Sequence, residues 1–177
     1  MSASNSLYIT LQYQTTTKGV NQYHWSLYVT GREPPIGHLI HATDAGHVLY
    51  DLHREIRPLA SPMKLARLDA CLKVAYVPDS RGLIKAISAI PIMDEGVLPT
   101  GEKRWTSRLW VREVLGKLQK ERLISLPVGI DEIDTRAQFY ANQHLYSPEP
   151  ARVFNDCSWL PVTDFEAPLP HSRAVNV

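Results

Sequence analysis

Apolar residues alternate with polar ones along the first part of the chain, and further on they recur every three or four positions. Leu7, Ile9 and Leu11 share one face of a strand predicted over Leu7 to Tyr13. Gln22 to Thr30, His38 to Thr43 and His47 to His53 read as three more strands, with Gly31 and Gly46 supplying turns. A fifth runs from Leu68 to Val77, with Leu68, Ala70, Leu72 and Val74 on one face, and Pro78 ends it. The period then changes to that of helices. Asp79 or Ser80 caps a helix to about Ala89 whose buried stripe is Leu83, Ile84, Ile87 and Ile90. A second helix opens at Ser107 and carries Trp110, Val111, Val114, Leu115 and Leu118 on one face. Asp131 caps a third that ends near Tyr146, with Asp134 standing where a capping box has its acidic partner. Strands followed by helices predict an α+β domain over residues 1–146, a small antiparallel sheet packed against helices.

From Ser147 the pattern breaks. Pro148, Pro150, Pro161, Pro168 and Pro170 interrupt any regular element, so residues 147–177 read as a Pro-rich extension. Its middle, with Phe154 and Trp159, is expected to pack in part, and its end to be mobile. Between the first two helices, Pro91 to Lys103 contains two prolines and two glycines and leads directly into Ser107, a position suited to the rim of a site.

The chain has 177 residues and 44% hydrophobic content, ordinary for one globular domain. No apolar run approaches the 18 or so residues of a spanning helix, and the polar start lacks the pattern of a secretory leader. A cytoplasmic location with no membrane span is therefore expected. Nineteen basic residues against eighteen acidic ones leave +1, which argues against a nucleic-acid partner. Lys103, Arg104, Arg108, Arg112, Lys117, Lys120 and Arg122 crowd the second helix; with Glu113 and Glu121 among them they read as a solvated outer face. The two cysteines, Cys71 and Cys157, make a weak case for a disulfide, and no Cys/His cluster has metal-ligand spacing. No cofactor or metal is expected, and the partner implied is a small-molecule substrate.

Two segments carry candidate chemistry. The backbone N–H groups of a first helical turn lack intrahelical partners and favour negative charge, which suits a nucleophile or an oxyanion at Ser107, with Thr106 beside it as cap or contact. The strand Tyr23-His24-Trp25-Ser26-Leu27-Tyr28-Val29-Thr30 holds His24, Ser26, Tyr28 and Thr30 on one face. The next strand brings His38 and His41, which point to opposite faces, so one of them can address His24. Cys157 lacks a helix behind it because Pro161 follows, and so lacks the electrostatic reason to be a thiolate.

The His-Trp-Ser-Leu strand at residues 24–27, followed 83 residues later by Ser107 in Thr-Ser-Arg-Leu-Trp-Val, resembles the circularly permuted papain-like branch of the NlpC/P60 superfamily. That branch includes the lecithin:retinol acyltransferase-like proteins, and the closest likeness is to fungal proteins with a His-Trp-Ser-Leu strand. The resemblance spans roughly residues 20 to 145. It implies His24 as the family histidine, His41 as the orienting residue and Ser107 where the family has its cysteine. It also implies hydrolysis or acyl transfer on an ester, thioester or amide.

The exchange of sulfur for oxygen matters physically. A thiol beside a histidine at a helix N-terminus pre-ionises, whereas a serine hydroxyl needs general-base help from His24 in the transition state and an oxyanion hole. Three readings follow. Ser107 and His24 act as a hydrolase or acyltransferase pair; or the cleft binds a small apolar molecule and His24 with Tyr28 performs cofactor-free acid–base isomerisation or cyclisation; or the protein only binds. Trp25, Trp105 and Thr106, with Tyr28, are the candidate substrate contacts.

Overall fold

A computed structural model describes residues 5–31, 36–44, 52–92 and 98–146. Five strands form one antiparallel sheet: β1 (Asn5–Thr17), β2 (Val20–Thr30), β3 (Gly37–Thr43), β4 (His53–Leu59) and β5 (Leu68–Val77), in the order β4-β3-β2-β1-β5. Four strands thus form a meander, and β5 returns to pair with β1 at the other edge. The helices are α1 (Ser80–Ala89), α2 (Ser107–Lys120) and α3 (Ile130–Leu145). The α+β architecture expected from the hydrophobic pattern is present. Cys157 and the extension at 147–177 lie outside the described residues, as do His47 and the turn at Gly46.

All three helices pack on one face of the sheet. Leu7, Ile9, Leu11, Trp25, Leu27, Val29 and Ile40 meet Trp110, Val111, Val114, Leu115 and Leu118 of α2 and Ile133, Ala137 and Ala141 of α3 in a single core. The fully buried Trp110 and Leu115 anchor it, each removing side-chain area worth roughly 2–3 kcal/mol from water. The opposite face carries a smaller cluster of Tyr8, Tyr28, Leu39, Leu65, Leu68 and Cys71, with Met63 of a short 3-10 turn against it. β1 is therefore apolar on both faces, through Leu7, Ile9 and Leu11 on one and Tyr8 on the other.

Three expectations are corrected, and a fourth falls largely outside the described residues. Residues 47–51 of the strand expected over His47–His53 lie outside them, and the fourth described strand is His53–Leu59. Its sequence, His-Arg-Glu-Ile-Arg-Pro-Leu, is charged and contains Pro58 because it forms a sheet edge, where unpaired backbone is tolerated and charge discourages further pairing. Leu68 does not share a face with Ala70, Leu72 and Val74. The β1–β5 register shifts between Leu11↔Ala70 and Gln12↔Leu68, so Asp69 is an inserted residue and Leu68 turns to the opposite cluster. The third helix begins at Ile130 with Gly129 at its N-cap and no side-chain cap, so neither Asp131 nor Asp134 caps it. Finally, Arg108 and Arg112 are not on a solvated outer face. They turn toward α3 and meet Asp134, which is 3% exposed.

Candidate functional site

The site forms where the β2–β3 ladder ends. Leu27↔Ile40 and Ser26↔His41 are the last pairs of the β2–β3 ladder, although β3 continues to Thr43 against β4. In that register Trp25 would next face Ala42, but the two strands part there. The first turn of α2 fills the gap: the backbone N–H of Trp25 donates to Ser107 Oγ at 3.1 Å. Thr106 caps the same turn, its hydroxyl accepting from Leu109 N–H at 3.3 Å. Ser107 thus ties the helix to the strand edge, while Thr106 closes the helix's own first turn.

A cavity of about 270 Å³ opens at this point. Its walls include His24, Trp25, Ser107, Thr106 and Trp105, together with Asp44, Glu102, Arg104 and Arg108. The end of the Pro91 to Lys103 segment does reach the cavity, through Glu102. Tyr23 is also in the wall; its hydroxyl donates to Asn142 Oδ1 at 2.8 Å, and burial, with Asp69 nearby, pushes its pKa up to about 12. Tyr28 stands elsewhere. It is fully buried in the cluster on the far face and donates its hydroxyl to the Leu59 carbonyl at 2.9 Å.

His24 belongs to the sheet face away from the helices, since Tyr23, Trp25 and Leu27 occupy the helix side. His41 lies diagonally across on the same face, and the two rings meet edge to face with His24 Nε2 and His41 Nδ1 2.8 Å apart. The other nitrogen of His41 reaches Glu55 Oε2 at 3.2 Å, and Glu55 Oε1 engages His53 Nε2 at 3.2 Å. Glu55 is directly opposite His41 in the β3–β4 register. His38, on the other face of β3, is exposed.

Burial holds the pKa of His24 down to about 4, the adjacent His41 lowering it further against the pull of Asp44, so the ring is neutral at pH 7. Burial likewise lowers that of His41, with Glu55 opposing. A neutral imidazole with one nitrogen tied to an oriented partner is equipped to take or give a proton. Ser107 and His24 line one cavity but approach it from opposite faces of the sheet, and no hydrogen bond joins them. Glu55 and Asp44 carry no sequence signal of their own. Glu55 becomes legible only when β4 is placed at 53–59, opposite His41.

Beside the cavity, Arg108 makes a forked contact with Asp134, Nε to both carboxylate oxygens at 3.0 Å and Nη2 to Oδ2 at 2.6 Å. Arg112 pairs with both Asp134 and Asp131, and Gln138 Nε2 donates to Asp134 Oδ1 at 2.7 Å. Burial opposes ionisation of Asp134, but the Arg108 and Gln138 hydrogen bonds prevail and hold its carboxyl below the usual range. The cluster fixes where Arg108 sits in the cavity wall.

Among the described residues no three His, Cys, Asp or Glu side chains converge as metal ligands do, and no helix is long and apolar enough to cross a membrane. The class defined by fold and site is an α+β protein with a polar cavity at a sheet fork, served by a histidine pair backed by a carboxylate. The chain belongs to the family of unknown function DUF6914, whose model matches residues 4–147. No curated protein and no solved structure matches it.

Proposed function

We propose that the protein is a small-molecule enzyme of the cofactor-free acid–base type, built on a permuted papain-like scaffold, with His24 as the proton-transferring group and His41 as its orienting partner. The observation that carries this reading is the hydrogen-bonded series His24, His41, Glu55, which ends at the cavity in a neutral imidazole. Isomerisation or cyclisation through removal of a proton next to a carbonyl fits such a group in that the ring is unprotonated, and so available as a base, at neutral pH. Ser107 then serves as a hydroxyl in the cavity wall and as the acceptor that docks α2 on β2.

Acyl transfer through Ser107 is the second reading. It is favoured by the place of Ser107 at the first turn of α2, where unpaired N–H groups suit an oxyanion, in the same cavity as His24. It requires the hydroxyl to leave Trp25 N–H and reach His24.

One experiment separates the two. Deuterium incorporation from D2O into a panel of small ketones and 1,3-dicarbonyl compounds is followed by NMR, in parallel with fluorophosphonate labelling. Acid–base chemistry predicts exchange abolished by His24→Ala and retained within about tenfold by Ser107→Ala, with no covalent label. Labelling lost on Ser107→Ala would transfer the assignment to acyl transfer. Neither activity across the panel, with small-molecule affinity indifferent to His24→Ala, would leave a binding protein.

A further inference from the structure

We infer that Glu55 is a positioning residue that sets which nitrogen of His24 carries the proton, making His24 Nδ1 a bare lone pair, and so a base, in the resting protein. The inference rests on the reading of His24 as the acid–base group for its functional meaning, but its content is structural. An ionised carboxylate accepts hydrogen bonds and donates none. Glu55 is held ionised: the hydrogen bond from His53 lowers its pKa, and His41 adds to this. The contact of 3.2 Å between Glu55 Oε2 and His41 Nε2 therefore requires the hydrogen on His41 Nε2. Because His41 is neutral, its Nδ1 has only a lone pair to offer. Two lone pairs cannot face each other at 2.8 Å, so the hydrogen between the rings belongs to His24 Nε2. A neutral His24 with Nε2–H has a bare Nδ1.

The carboxylate on the edge strand thus dictates polarity two rings away. When Nδ1 takes a proton from a substrate, the bonding pair stays on the substrate and the imidazolium formed keeps Nε2–H directed at His41. His41 in turn keeps Nε2–H directed at Glu55, so the negative charge needed to steady the imidazolium is already aligned. His53 uses the other carboxylate oxygen, Oε1, and does not compete for the one that His41 occupies.

The test is 15N NMR of the full chain labelled in histidine, at neutral pH, with the rings assigned by single His→Gln replacements. The expected pattern is a pyridine-type shift at Nδ1 and a pyrrole-type shift at Nε2 for both His24 and His41. Glu55→Lys places a donor where the acceptor stood and is expected to exchange the two shift types in both rings. Glu55→Gln, which donates or accepts, is expected to give intermediate averaged shifts. Glu55 is exposed, so neither change disturbs the core. A pyrrole-type Nδ1 on His24 in the unaltered protein, or a pattern indifferent to Glu55→Lys, overturns the inference. Since no turnover is read, the outcomes separate: the expected shifts with catalysis indifferent to His24→Ala would sink the proposed function alone, and the reverse would sink only the role of Glu55.

Discussion

Replacing Asp134 by Asn keeps the shape of a side chain that is 3% exposed and deletes the charge that two arginines share. Removing one partner of a fully buried ion pair costs about 3–5 kcal/mol, because the other charge is left without compensation. Here the side chains of Arg108 and Arg112 are 38% and 27% exposed, so both guanidinium groups regain part of their hydration. That brings the expected loss to about 2–3 kcal/mol, or a fall in Tm of roughly 6–10 °C for a domain of this size. Urea denaturation followed by tryptophan fluorescence reads it as a lower midpoint at unchanged slope, with the buried Trp110 reporting on the core. Adding Arg108→Met to Asp134→Asn should cost less than the sum of the two single changes, by at least about 1 kcal/mol. The sign with pH is fixed as well. A carboxyl whose pKa is lowered on folding stabilises above its unfolded pKa of 3.8, and that contribution is lost as pH falls further, so the gap between native and variant closes below about pH 4. A loss under about 0.5 kcal/mol with additive double mutants would refute the reasoning, for that is how a solvated helix residue behaves.

Gly37→Ala should destabilise by more than about 2 kcal/mol or prevent folding, because a Cβ there would stand 2.2 Å from the Val29 carbonyl oxygen and neither backbone can yield; the same denaturation assay checks it. His24 should titrate by NMR near pH 4 rather than at 6.5. A histidine with a depressed folded pKa favours the native state fully above 6.5 and progressively less as pH falls toward 4, by up to about 3 kcal/mol, and a normal titration midpoint would contradict the burial assigned to it.

Alternation places His24 on one face of its strand and His38 and His41 on opposite faces of theirs, and the choice of His41 comes from the family resemblance; the 3.6 period suffices for α2, which buries one side. Sequence reasoning failed where tertiary contacts outweigh local pattern. β4 has no apolar alternation to read, since as an edge strand it turns charge to solvent, and a strand over His53–Leu59 unseen in the sequence left Glu55 unseen too. Asp134 looks like a helix-start carboxylate in the sequence, yet it lies one turn inside α3 and is buried by arginines 22 and 26 residues away. The inserted residue at Asp69 left the apolar rhythm of β5 intact while exchanging the face of Leu68. The separation of His24 from Ser107 depends on which face of a sheet each approaches from, and spacing along the chain does not encode that.

The bond from Trp25 N–H to Ser107 Oγ makes one amide a natural gauge of the cavity. Ser26, Leu27, Tyr28 and Val29 have a neighbouring strand on both sides, but the Trp25 amide is guarded on the β3 side by a hydroxyl. Its rate of hydrogen exchange with solvent therefore follows the engagement of Ser107 itself. A molecule that draws the serine away leaves the amide unprotected, and one that settles without disturbing it leaves the rate unchanged.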